Sequence, residues 1–302
     1  MEATIREREL DGLARIAAAI RDELFAPIRN RKTAIFICGA GKEKRDSVRS
    51  AIRHELTRNW YSYKYEILLP EDFFDELLYG KNRCDLIELE TVLAESVDAL
   101  LMIPESWGAV TELGAFSMNK DLRRKMICLQ DVKHKKTESF INFGPVRLIR
   151  DSKEGKVLYV DYTKIPPEME KIRRAISDVA AGPAAPARAD NIAQAPTFLL
   201  LAIYLLEPAT QQTLLDLVSS ASGGVPSRCR AVTFGALGLL RKRKWVTGTP
   251  KGFTLTEAGV AALNDLGRHG VSKSYFNIDV MDRIRADVLT WMYRNKSFRK
   301  GA

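Results

Sequence analysis

The sequence predicts an open, doubly wound parallel α/β domain followed by a small winged helix-turn-helix domain. Three observations predict it. Over residues 1–180, short apolar strand-like runs alternate with segments whose apolar residues recur every three or four positions, the pattern of strands joined by crossover helices. Residues 181–196 then carry three prolines among small residues, too little apolar surface to repay ordering, and read as a linker. Beyond it, residues 197–302 run helix, helix, helix, basic hairpin, helix, the order in which a third helix enters the major groove and a wing touches backbone.

Each element follows from a local pattern. Leu13, Ile16, Ile20 and Leu24 mark an amphipathic N-terminal helix, and Thr33 to Cys38 a buried strand. Val48, Ile52 and Leu56 give a helix, Tyr65 to Leu69 a strand, and Leu86, Leu89, Leu93 and Val97 another helix. Ala99 to Ile103 reads as a strand, Thr111 to Asn119 as a short helix, Met126 to Leu129 as a strand and Val157 to Val160 as the last one. The strands are continuous apolar runs, as expected when both faces of a parallel sheet are covered. After the linker come helices at Phe198 to Leu206, Gln212 to Ser219 and Ser227 to Lys244, a hairpin from Trp245 to Leu255 turning at Gly248-Thr-Pro-Lys-Gly252, and a final helix from Thr256.

Composition narrows the function classes. The longest apolar run, Phe198 to Leu206, is far short of the ~20 residues that span a bilayer. The first residues, Met-Glu-Ala-Thr-Ile-Arg-Glu-Arg-Glu, have no apolar core of a secretory signal, so a cytoplasmic location is expected. Cysteines at 38, 84, 128 and 229 and histidines at 54, 134 and 269 show no metal-ligand spacing, and no metal site is expected. The net charge is +9, and residues 181–302 hold 16 Lys and Arg against 8 Asp and Glu, so nearly the whole excess lies in the C-terminal part. Clustered cations gain by displacing counterions from phosphates, which points to a polyanion partner there. Arg228, Arg230, Arg241, Lys242, Arg243, Lys244 and Lys251 form the candidate nucleic-acid-binding strip, with a solvated surface as the plain alternative.

In an open parallel sheet, ligands bind beyond the carboxyl ends of the strands, where helix N-termini present unpaired N–H groups. Cys38, Gly39 and Gly41 follow the first strand, but with Lys42 they match neither a full dinucleotide fingerprint nor a P-loop. They support a phosphate-tolerant turn or simply a tight turn. Glu71 and Asp72, followed by Asp75, sit after the second strand, where they suit either ribose hydroxyls or a helix dipole. After the third strand, Gly108 lets a ligand approach, and Thr111-Glu112 opens a helix at the sheet edge. A carboxylate there can attack or stabilise a sugar C1′ as its N-glycosidic bond breaks, although a first-turn Glu also interacts with the helix dipole. Trp107 suits base stacking or an interface. Asn142, with Gly144 and Arg147, falls in a loop-to-strand stretch that suits substrate contact or an interdomain contact.

The motif Ser106-x-Gly108-x-x-x-Glu112-Leu-Gly-Ala resembles the signature of nucleoside deoxyribosyltransferase-like proteins. A longer set is similar to the effector family of bacterial retron anti-phage systems. It comprises Cys38-Gly39, Pro70-Glu-Asp-Phe-Phe-Asp-Glu-Leu-Leu, Leu93-Ala-Glu-Ser-Val-Asp, Pro104-Glu-Ser, Thr111-Glu-Leu-Gly-Ala-Phe-Ser, Leu122-Arg-Arg-Lys and Ser139 through Arg147. The resemblance covers nearly the whole chain and implies an N-glycosidase domain joined to a C-terminal winged helix. It implies a toxin-like effector, restrained by a retron reverse transcriptase and its multicopy single-stranded DNA, a branched RNA–DNA hybrid. On infection such an effector depletes NAD or a related nucleotide, which is a substrate and not a cofactor, in a form of abortive infection. It also implies a homo-oligomer or higher assembly, with Glu112 as the catalytic carboxylate. The transferases usually place an aspartate six residues before that glutamate, where this chain has Ser106 with Glu105 adjacent. That favours N-ribosyl hydrolysis over base exchange and makes Glu105 and Ser106 further catalytic candidates. Two competing readings stand beside it: a nucleotide-sensing winged-helix transcription regulator without catalysis, and a winged helix that only docks protein.

Overall fold

A computed structural model describes residues 2–28, 32–41, 46–73, 86–181, 187–269, 273–274 and 278–294. The chain forms two compact units, one of Asn30–Pro70 with Glu90–Ala184, the other of Met1–Arg29, Glu71–Leu89 and Ala185–Ala302. Lys42, Asp75 and linker residues 182–186 lie outside the described residues.

The first unit is built on five strands, β1 (Thr33–Cys38), β2 (Tyr65–Leu68), β3 (Ala99–Met102), β4 (Met126–Asp131) and β5 (Lys156–Val160). They form a wholly parallel sheet in the order β2-β1-β3-β4-β5. Every residue of β3 and β4 is buried, which explains the apolar runs Ala99–Met102 and Met126–Leu129. Among the described residues, the longer helices that accompany the strands are α2 (Val48–Thr57), α3 (Leu86–Ser96), α4 (Trp107–Met118), α5 (Pro145–Asp151) and α6 (Ile165–Ala180). Ile52 and Leu56 of α2 and Met169, Ile172 and Ile176 of α6 share one core with Ile35, Ile37, Leu101, Ile127 and Leu129. Strand residues alternate in direction, so Phe36 faces the opposite side, where it meets Phe116 of α4 at 6.4 Å between ring centroids. Each such buried ring contributes roughly 2–3 kcal/mol. Helices therefore cover both faces, and the strand order reverses at β1 and β3, the place where open α/β sheets leave a crevice.

Two local expectations give way here. The stretch with Gly144 and Arg147 is helical and not a loop leading into a strand: Pro145 occupies the first position of α5, where its missing N–H is harmless. Helix α6 was also unforeseen, although Met169, Ile172 and Ile176 carry a helical period behind two N-terminal prolines.

The second unit contains α1 (Glu2–Ala19), which continues as a π-helical turn Ile20–Phe25. It also contains α7 (Ala195–Leu206), α8 (Gln211–Ser222), α9 (Pro226–Lys242), the antiparallel hairpin β6 (Val246–Thr249) and β7 (Gly252–Leu255), α10 (Glu257–Gly267) and α11 (Ile278–Arg294). The order helix, helix, helix, hairpin, helix is as expected, and α11 adds a further helix. Helix α7 is buried on every side, so it needs cover all round. The N-terminal segment supplies part of that cover: Phe25 meets Phe198 edge-on at 5.6 Å, and Arg21 donates to the Ala221 carbonyl at 2.7 Å. The N-terminal helix thus packs with the C-terminal helices, which departs from a division at residue 180.

The second half of the expected linker is ordered too. Ala189, Asp190 and Ile192 are fully buried, and Arg188 grips the Asp190 carboxylate through two bonds of 3.0 and 2.8 Å. At the hairpin, Gly252 has φ +139°, and a side chain there would sit 2.6 Å from the Ala209 carbonyl oxygen, so the position needs glycine. Among the described residues no helix is long and apolar enough to cross a membrane.

Candidate active site

Helix α4 opens four residues earlier than the sequence suggests. Ser106 is its N-cap, the Oγ accepting from the Ala109 N–H at 3.3 Å while donating to the Gly39 carbonyl at 3.3 Å. Glu112 is therefore in the second turn and not at the helix start, so a simple dipole role is weakened. Helical side chains lean toward the N-terminus, and the residue four positions earlier is Gly108. A side chain built on Gly108 would come within 3.9 Å of Glu112 Oε1, so the glycine keeps the approach to that carboxylate open.

The inner side of Glu112 is fixed by Cys38. Alternation along β1 puts Cys38 on the same face as Phe36, and the four-residue step along α4 puts Glu112 on the same face as Phe116. One pair meets as tilted rings in the core and the other meets at the carboxyl edge. Burial pushes the Cys38 thiol well up, and the charge of Glu112 together with its hydrogen bond to the thiol push it further. The thiol stays protonated and donates to the carboxylate. Glu90 of α3 acts on the same thiol in the same direction, and Arg49 of α2 opposes it. Sequence reasoning missed Arg49 and Glu90. Each is a charge on an apolar stripe, Arg49 ahead of Ile52 and Leu56, Glu90 ahead of Leu93 and Ala94, and that pattern was the available signal.

Glu105 has a different setting. Its Oε1 accepts from the backbone N–H groups of Ala40 and Arg49 at 3.1 and 3.0 Å, and its Oε2 accepts from Val48 at 2.9 Å. Both oxygens are engaged with the turn between β1 and α2 and with the start of α2. Gly39 belongs to the same joint: a methyl there would lie 2.8 Å from Arg49 Cβ and 2.9 Å from Glu105 Oε1. Gly41 is exposed with open space around it. Trp107 is 91% exposed at the first turn of α4.

Next to Glu105, a cavity of about 490 Å³ opens beyond β3 and β4, walled by Pro104, Glu105, Gln130, Asp131, Lys133, His134, Thr137, Ser139, Ile141 and Tyr162. Its wall does not include Glu112. Asn142, a candidate for substrate or interdomain contact, ties the cavity loop together. Its Nδ2 donates to the carbonyls of His134 and Thr137 at 2.9 and 2.5 Å, and its Oδ1 accepts from Gln130 at 2.7 Å. The Tyr162 hydroxyl donates to the Leu129 carbonyl at 2.6 Å, and burial pushes its phenol up.

The remaining candidates lie in the second unit. Glu71 and Asp72 meet Lys242 there, whose Nζ donates to the Glu71 carbonyl at 2.8 Å and to Asp72 Oδ1 at 3.0 Å. Within the unit that holds Glu112, neither acid is present. Of the basic strip, Arg228 reaches the Asp190 carbonyl at 3.4 Å, Arg230 lies over the Phe234 ring at 5.5 Å, and Arg243 lies over the Trp245 ring at 4.9 Å. Arg230, Arg241, Lys242, Lys244 and Lys251 are exposed.

Comparison with known proteins adds identity to this geometry. A family model described as STM3845 retron effector protein matches residues 45–248. A protein of retron Ec86 from Escherichia coli is 32% identical over 282 residues, covering 89% of this chain and 88% of its own length. A protein of retron Ec73 from the same organism is 32% identical over 152 residues, covering 48% of this chain and 46% of its own. Both names carry, as a provisional description, ribosyltransferase/DNA-binding protein.

Proposed function

Because this chain belongs to the retron effector family, whose matched relatives carry ribosyltransferase and DNA-binding in their names, we propose that it is an N-ribosyl hydrolase acting on NAD or a related nucleotide, with Glu112 as its catalytic carboxylate. The observation that carries the reading is the half-buried Glu112 at the β1/β3 crevice, approached over Gly108 and held from below by the Cys38 thiol. In the proposed reaction a Glu112 oxygen attacks C1′ while the C–N bond breaks and its electron pair leaves with the base. A pyridinium leaves as a neutral base and needs no proton donor, so one carboxylate suffices for NAD. Water then attacks C1′, Glu112 departs as carboxylate, and the water proton passes to solvent. The hydrogen bond from Cys38 holds the Glu112 carboxylate in its orientation.

The second unit is proposed to be a winged helix that binds nucleic acid through Arg230, Arg241, Arg243, Lys244 and Lys251. Its partners would be the retron reverse transcriptase and its multicopy single-stranded DNA. The test uses the purified chain with NAD, nucleotides and nucleosides, with chromatography of any free base. Glu112→Gln should abolish base release, with an unchanged melting curve, because it removes the charge facing C1′ at nearly constant shape. In growth assays the wild type expressed alone should be more toxic than with its reverse transcriptase and DNA, and Glu112→Gln should be harmless in both. Nucleotide binding without base release by the wild type would favour the regulator reading, and toxicity only with the partner would make the partner an activator.

A further inference from the structure

The α/β unit carries an aromatic and cationic cluster at the edge of the sheet away from the cavity. Trp60 is 59% exposed just before β2, the outermost strand next to β1. Strand β2 begins at Tyr65, so this cluster lies at the amino edge of the sheet, whereas Glu112 serves the carboxyl edge. Asn59, with φ 52°, makes the left-handed turn that leads into it. The Trp60 ring lies 4.3 Å from the Tyr61 ring at 30°, and Tyr61 is backed by the Arg173 guanidinium at 4.0 Å and by Tyr65 at 6.3 Å and 16°. Tyr61 itself packs against the core. Trp60 is thus a braced ring with an outward face, a surface that a flat ligand meets at little entropic cost.

Its surroundings are cationic. Residues 49–64 contain four Lys and Arg against one Glu. Arg53, Arg58 and Lys64 are exposed, and the single acid, Glu55, is shared by Arg58 at 3.7 Å and Arg173 at 3.8 Å. The other exposed large apolar side chains described in this unit lie between Trp107 and Phe143, on the β3 and β4 side. Among the described residues Trp60 is therefore an exposed ring in a cation-rich segment and not the centre of an exposed apolar patch. A protein interface buries its aromatic anchors in an apolar core depleted of lysine, whereas an exposed aromatic in a cation-rich segment matches a base stacked beside phosphates.

We propose that Trp60, with Arg53, Arg58 and Lys64, forms a contact site for single-stranded nucleic acid on the α/β unit. Stacking needs an unpaired base, so the site selects single strands over duplex. Because it occupies the edge opposite Glu112, a strand bound there leaves the carboxyl edge open.

The test uses the full chain with a fluorescein-labelled oligothymidylate about 20 nucleotides long, enough to span one binding site, and the same sequence as duplex. Trp60→Ala should weaken single-strand binding by about five- to 150-fold, the range of one lost stacking contact, leave duplex binding unchanged and leave base release unchanged. Trp60→Phe should retain most of the affinity. Because the second unit is itself basic, the contact is also located directly. Oligonucleotide carrying 5-iodouracil is photo-cross-linked and the adduct digested with trypsin, which cuts after Arg58 and Lys64 and releases Asn59–Lys64 as one peptide. An adduct on Trp60 in that peptide is expected. Wild-type affinity in Trp60→Ala, an equal loss for duplex, or cross-links confined to residues 226–251 would each overturn the proposal. A Trp60→Ala protein with an altered melting curve leaves the decision to Trp60→Phe and the cross-link.

Discussion

Glu105 and Glu112 stand seven residues apart, and the structure gives them different surroundings. If Glu105 is a staple for the β1–α2 turn, Glu105→Gln should damage stability before chemistry. The amide oxygen can keep the Ala40 and Arg49 N–H groups, but the bonds change from charge-assisted to neutral. The amide nitrogen then faces the Val48 N–H, donor against donor, and that bond is lost. One lost charge-assisted bond at about 1.5–3 kcal/mol and two weakened ones at about 0.5 kcal/mol each give a total of about 2.5–4 kcal/mol. For a unit of this size that lowers Tm by roughly 5–15 °C. Thermal unfolding by far-UV circular dichroism measures it, and hydrogen exchange at the Ala40, Val48 and Arg49 amides shows where protection is lost. Glu105→Ala leaves all three N–H groups without their acceptor and should be worse. Base release, measured well below the transition, should fall far less than in Glu112→Gln. An unchanged Tm in Glu105→Gln together with abolished base release would refute the reasoning and make Glu105 the catalytic group.

Other consequences follow from the same coordinates. Gly108→Leu should hold or slightly raise Tm, since the position is helical and open, yet suppress base release at least tenfold by covering Glu112; equal activity by chromatography would deny the approach over Gly108. Replacing Arg241, Arg243, Lys244 and Lys251 with Gln should weaken duplex DNA binding and flatten its salt slope, while Lys242→Gln, whose ammonium already meets Asp72, should do less; fluorescence anisotropy across a salt series decides. Burial brings the Lys125 ammonium down from 10.5 to about 8, and its Nζ donates to the carbonyls of Glu95 and Val97. The unfolded chain then binds more protons than the folded one between those values, so this group's contribution to stability rises from about pH 8 to pH 10.5. Urea unfolding in that window should show the rise, and Lys125→Met should flatten it.

The sequence by itself determined the layered α/β architecture, because strand and helix periods are local and each apolar run must be covered on both faces. It also pointed to Glu112, through its place after the third strand and the motif Ser106-x-Gly108-x-x-x-Glu112. Local patterning was read wrongly where a cap decided the outcome: Ser106 starts α4 at Trp107, which moves Glu112 into the second turn. Other outcomes were set by partners distant in the chain. Glu105 is engaged because three N–H groups 56 to 65 residues earlier converge on it, and no window of neighbouring residues contains that information. Asn142 became a loop tie because the carbonyls of His134 and Thr137 lie within its reach. The N-terminal helix packs with the C-terminal unit because α7, apolar all round, must take cover from whichever segment the tertiary fold brings to it. Periodicity states which face of an element must be buried; only the three-dimensional arrangement states against what, and so that Glu105 accepts from three backbone N–H groups while Glu112 meets the Cys38 thiol.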